Sequence, residues 1–174
     1  MALDDSLPAA HSVLSTVYLW RKQHDQATVE AERTIDLDAN SAEGYDALET
    51  ILVFAGRPQE AIPLIEKAMR LDPRNRALYL THLGFAYRVA GRCEEALVTV
   101  KEAITLTPRN YLLHIFLAGC YVELGRLKEA QVEAAEVMRL NPNYSLEWAS
   151  RNLPFKDTVF RERFFAVQRE AGLK

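Results

Sequence analysis

The sequence predicts an all-α fold, a solenoid of about four antiparallel helix pairs closed by a C-terminal capping helix pair. Three observations predict it. The motif Gly-Arg-x-x-Glu-Ala recurs at Gly56, Gly91 and Gly125, spaced 35 and then 34 residues apart. About half a period after each comes a proline, at Pro73, Pro108 and Pro142. Between these markers lie two runs of apolar residues at helical spacing. A fixed period in this range marks an array in which each unit buries its apolar face on the next.

The units run over residues of about 8–41, 42–76, 77–110 and 111–144, within a single domain spanning 1–174, and each reads as helix A, a turn and helix B. The first copy is the weakest, with Leu14, Ser15, Tyr18, Ala27, Ala31 and Leu37 in register. There Lys22 stands at the turn glycine and Ala39 at the closing proline. The second gives Leu48, Leu52, Gly56, Ala61, Ile65, Ala68, Leu71 and Pro73. Leu83, Gly84, Tyr87, Gly91, Ala96, Val100, Ala103 and Pro108 make the third. Leu117, Ala118, Tyr121, Gly125, Ala130, Ala134, Val137, Leu140 and Pro142 make the fourth.

Each residue type has a physical reason to stand where it does. The turn glycines end helix A in a left-handed conformation that side chains disfavour. Ala27, Ala61, Ala96 and Ala130 fall where helix B crosses helix A, and a larger side chain would force the pair apart. The closing prolines cannot continue helix B and bias the preceding residue away from helical angles. Pro63 falls beyond the first residues of the second helix B and predicts a small irregularity there. In the tail, 145–174, Ser145 to Asn152 begins another helix A with Trp148 at its inward position, and Leu153-Pro154-Phe155-Lys156 breaks it. Asp157 is the N-cap of a last helix whose stripe of Phe160, Phe164, Val167 and Ala171 ends at Gly172. That stripe reads as a lid on the exposed apolar face of the last repeat.

Composition narrows the function. Of 174 residues, 49% are apolar and 26% charged, with a net charge of −3, so no basic stripe invites a nucleic acid. The acidic opening, Met1 to Asp5, is unlike a secretion signal, and no apolar run is long enough to span a membrane. Cys93 and Cys120 share no metal-type spacing and read as reduced thiols of a cytoplasmic protein, with surface oxidation open to Cys93 and a functional thiol the lesser reading. His11 and His114 occupy one inward helix A position and read as packing residues. His24 lies in a turn and reads as solvated, while His82 points toward the inner face. Glu60, Glu95 and Glu129 suit solvated helix starts. No phosphate loop, zinc-protease motif, paired-cysteine motif or serine elbow occurs, so neither catalytic residues nor a cofactor are expected.

The joint placement of Gly84, Tyr87, Ala96 and Pro108 resembles the tetratricopeptide repeat, which implies a right-handed superhelix with helix A lining a concave groove. On that resemblance Val13, Thr16 and Trp20 line the groove from the first unit, and Asp46, Thr50 and Phe54 from the second. Leu78, His82, Phe85 and Arg88 line it from the third, and Ile115, Phe116 and Glu123 from the fourth. Related co-chaperones clamp a peptide's C-terminal carboxylate with Lys, Arg and Asn. Here the equivalent positions hold Ser12, Thr16, Asp46, Thr50, Phe85 and Gly119, so that activity does not carry over. An apolar, aromatic groove suits an amphipathic helix or an extended apolar segment. Packing within the chain, or a second copy forming a homodimer, would cover it equally well.

Several segments also resemble the C-terminal repeat region of bacterial class III adenylate/guanylate cyclases. They are Val53-Phe54-Ala55-Gly56-Arg57-Pro58, Leu83-Gly84-Phe85-Ala86-Tyr87-Arg88, and the tail from Ser145-Leu146-Glu147-Trp148 through Leu153-Pro154-Phe155-Lys156-Asp157 to Arg169-Glu170-Ala171-Gly172-Leu173. The catalytic domain of that family lies upstream of the repeats and has no counterpart here. The chain starts almost at the first residue of a repeat, as a piece of a longer protein would, with a free-standing relative as the alternative. The resemblance implies a module that positions or regulates a cyclase. The residues themselves predict a non-catalytic surface for a protein segment or for a second copy.

Overall fold

The computed structural model describes residues 7–174, so the acidic opening lies outside the described residues. Four helix pairs follow in order, α1 (Pro8–Trp20) with α2 (His24–Leu37), α3 (Ala42–Phe54) with α4 (Pro58–Leu71), α5 (Arg76–Val89) with α6 (Cys93–Leu106), and α7 (Tyr111–Glu123) with α8 (Leu127–Leu140). Two tail helices complete it, α9 (Leu146–Asn152) and α10 (Thr158–Glu170). Among the described residues there is no strand, and no helix is long and apolar enough to cross a membrane.

The chain divides into two compact units. Unit 1 is Met1–Tyr79 with Pro154–Lys156, and unit 2 is Leu80–Leu153 with Asp157–Lys174. In unit 1, α1 packs on α2, α3 on α4, and α3 on both helices of the first pair. In unit 2, α7 packs on α8, on α6 and on α10.

The turns follow from backbone geometry. Gly56, Gly91 and Gly125 have φ of 80°, 73° and 72°, and Lys22 takes the same left-handed turn at φ 61°. After each, the next residue's N–H reaches back across the turn, as Arg57 does to the Leu52 carbonyl at 2.8 Å and Gln23 to that of Tyr18 at 2.9 Å. This is the Schellman bond, which satisfies a helix-end carbonyl. The B helices α4, α6 and α8 start without a side-chain cap on the backbone. Instead the arginine before each helix grips the glutamate three residues on, Arg57 to Glu60, Arg92 to Glu95 and Arg126 to Glu129. The glutamates of the motif are therefore more than solvated helix starts. Each guanidinium holds its partner carboxyl below the ordinary range, with the hydrogen bond as the leading cause.

Helix crossings use the smallest side chains. Ala27, Ala61, Ala96 and Ala130 are fully buried at 0% exposure. Between α5 and α6, Gly84 faces Val100 so closely that a Cβ would overlap the valine Cγ2. Within the first and fourth pairs, a histidine of helix A meets a glutamate of helix B, His11 Nδ1 to Glu30 and His114 Nδ1 to Glu133, each at 2.6 Å. The proline at 63 does not end the helix, since α4 runs from Pro58 to Leu71 with Pro63 inside it. Pro63 removes one bond, the one Gln59's carbonyl would accept, and both residues are exposed, so water serves that carbonyl.

Two stability outcomes follow. Lys22→Gly relieves a left-handed lysine and raises stability by about 0.5 to 1 kcal/mol, read from the denaturant midpoint. Gly84→Ala lowers stability by about 1–3 kcal/mol through overpacking, and adding Val100→Ala recovers part of that loss.

Candidate interaction site

The residues expected to line a groove separate into distinct environments. In unit 2, Phe85 of α5 and Phe116 of α7 stack with ring centroids 5.1 Å apart at 19°. Phe164 of α10 meets Phe85 edge-on at 5.9 Å, and Phe160 lies 6.1 Å from Phe164. Phe116 and Phe164 are buried, as are Ile115 and Arg88. The lid therefore rests on α7, the A helix of the last repeat, and on Phe85 of α5.

Arg88 lies under this lid. Its guanidinium sits 3.8 Å from the centroid of the Phe164 ring, and Nη2 donates to the Phe164 carbonyl at 3.4 Å. Gly119 makes the space, since a Cβ there would overlap the guanidinium. Burial pushes the Arg88 pKa down. Tyr144 nearby is pushed up to about 12 by burial, and its hydroxyl donates to Gln168 Oε1 at 3.2 Å. Glu123 is exposed and accepts from the Cys93 Sγ at 3.0 Å. Cys93 is itself buried, which removes the option of surface oxidation. A hydrogen bond with Cys120, burial and Glu123 together raise its pKa and keep it a thiol.

In unit 1 the anchor is the segment that sequence reading took only for a helix break. Leu153 is extended before Pro154, at φ −61° and ψ 136°, which ends α9. Phe155 then packs edge-on against Phe54, centroids 5.0 Å apart. The Lys156 N–H donates to the Phe54 carbonyl at 2.9 Å, filling an open acceptor at the end of α3. Lys156 Nζ reaches Asp25 at 3.0 Å. His24 is the first residue of α2 and is buried at 5% exposure, not solvated in a turn. Asp46 and Thr50 are half-buried, with the Thr50 hydroxyl donating to Glu49 at 2.9 Å.

The remaining expected residues face water or lie half-covered. Val13 and Trp20 of α1 are 63% and 51% exposed, and Thr16 and Leu78 are exposed too. His82 is half-buried. Trp148 points outward at 61% exposure, because Leu146 and Ala149 take the inward phase of the short α9. Sequence reading missed Phe155, Lys156 and Gln168, whose only local signal is an apolar tail interrupted by proline.

Comparison with known proteins agrees with this architecture. Residues 87–150 match the model of the tetratricopeptide repeat. No curated protein matches the sequence. Among solved structures, PilF of Pseudomonas aeruginosa is 25% identical, with a TM-score of 0.69 over 96% of this chain and 77% of its own. TTC0263, a thermophilic repeat protein of Thermus thermophilus, is 22% identical, with a TM-score of 0.68 over 92% of this chain and 81% of its own. YrrB, described as having an unusual peptide-binding site, is 18% identical, with a TM-score of 0.63 over 97% of this chain and 86% of its own.

The pH response of the anchor has a definite sign. Burial, then the Lys156 charge, lower the His24 pKa against a smaller opposing effect of the Pro154 backbone and Asp25, with Lys22 adding to the lowering. The unfolded chain thus takes the proton first, at the ordinary value of about 6.5. The stability that neutral His24 contributes is complete above that pH and is lost as pH falls through the lower folded value. His24→Gln should show a smaller fall in urea midpoint between pH 7.5 and pH 5 than the unaltered chain, and equal falls would refute the assignment. With repeat period, helix pairing and structural neighbours in accord, the fold is a tetratricopeptide-type array of helix pairs.

Proposed function

We propose that the chain is a non-catalytic interaction module, holding a protein segment or a second copy of itself on a face of its A helices, which in unit 2 is formed by α5 and α7. One observation carries the reading. In unit 2 the Phe85 and Phe116 face already takes up a helix, α10, through aromatic contacts. The peptide-binding site named for YrrB supports the same use of the fold. Side chains at this face are aromatic, aliphatic and cationic, which suits holding rather than bond making. Free buried thiols fit a reducing compartment and support a cytoplasmic placement. The regulatory alternative, a module attached to a nucleotide cyclase, rests on the tail resemblance, and a cyclase domain encoded upstream in the same reading frame would favour it.

The test is a selection of displayed peptides on the full chain, followed by anisotropy titrations. Phe85→Ala and Phe116→Ala should each weaken selected peptides about tenfold or more while the helical circular dichroism stays unchanged, as central aromatic anchors do. Light scattering across a concentration series reads the second-copy alternative. Unchanged affinity in both variants, with a monomer at every concentration, would remove this face from consideration.

A further inference from the structure

The packing of α10 leaves a polar imbalance in unit 2. Arg88 is 3% exposed, and its Nε and Nη1 are buried with no acceptor. Gln168 of α10 is 0% exposed, with its Nε2 likewise unmatched. All three atoms are N–H donors, so the site is short of acceptor oxygens. Cys120 and then Glu123 act on Arg88 through space, and Glu123 is exposed and accepts from Cys93. A buried guanidinium is costly unless its N–H groups are matched, and a carboxylate matches two of them in parallel. Gln168 is the uncharged isostere of glutamate. It stands four residues beyond Phe164, whose ring and carbonyl already sit on Arg88, and its Oε1 accepts from the Tyr144 hydroxyl.

Resting on the segment-binding reading above, we propose that this face of unit 2 docks an amphipathic helix of a protein partner that carries an aromatic residue and, four residues later, a carboxylate. The ring takes the place of Phe164 and the carboxylate pairs with Arg88. The chain's own α10 is the self-ligand that fills the site until such a helix displaces it, and its glutamine makes it the weaker occupant.

The experiment uses two labelled peptides, residues 157–174 as they stand and the same segment with Gln168→Glu. The receptor is the full chain carrying Phe164→Ala, which loosens its own tail, with helical content checked by circular dichroism. The glutamate peptide should bind about tenfold more tightly than the native one. That preference should vanish when Arg88→Met is added and be partly kept with Arg88→Lys. Methionine fills the volume of a buried arginine without its charge, so the variant retains the fold. Equal affinities in the Arg88 receptor overturn the carboxylate site and leave segment binding standing. Failure of both peptides to bind overturns docking on this face, and with it the reading beneath. A receptor that doubles in mass by exchanging tails makes a second copy the occupant and overturns the partner helix.

Discussion

In unit 2, pairing helices brings Phe85 and Phe116 together on α5 and α7, and the need to keep those rings from water governs what the tail does. Phe85 and Phe116 stack on each other with ring centroids 5.1 Å apart, and Phe164 of α10 meets Phe85 edge-on. Burying one such ring contributes about 1.5–3 kcal/mol, so two adjacent rings are a strong demand for a cover. Unit 2 meets that demand from its own tail. Unit 1 meets it at Phe54 with Phe155 from the same interrupted tail.

The interruption is what makes both contacts possible. A proline after the extended Leu153 stops α9, so that a ring and a backbone N–H can both be offered to the end of α3. Asp157 then restarts a helix by accepting from the N–H groups of Val159 and Phe160. One short polar and proline signal thus places two aromatic side chains, Phe155 and Phe164, in two different local settings. The phase of the second helix decides which face it presents, and Phe164, Phe165 and Gln168 are its buried residues.

What could be read from the sequence was what depends on near neighbours. Turn glycines, crossing alanines and the Asp157 cap are dictated within a turn or two of helix, and they stand as the spacing says. Lys22 was legible as a substitute for glycine because the surrounding period fixed its place. His24 was not, since its burial accompanies a segment more than a hundred positions away. Trp148 failed for another reason. In a helix as short as α9, two phases fit the apolar pattern, and the smaller Leu146 and Ala149 win the interior. The cover over Phe85 and Phe116 was legible as an apolar stripe, but its destination required three dimensions.

The arginines of this chain show how charge is used differently at the surface and inside. Arg57, Arg92 and Arg126 each meet a glutamate in water, where such pairs contribute little to stability and mainly order a helix start. Arg88 has no such partner and is buried at greater cost, so stability alone does not account for it. A tethered helix acts at an effective concentration of about millimolar, and any rival must exceed that. If the tail satisfied Arg88 fully, few competitors could displace it. On the proposed docking, a neutral glutamine on the helix that covers an undersatisfied guanidinium keeps the closed state shallow and leaves the charge to an occupant that can match it.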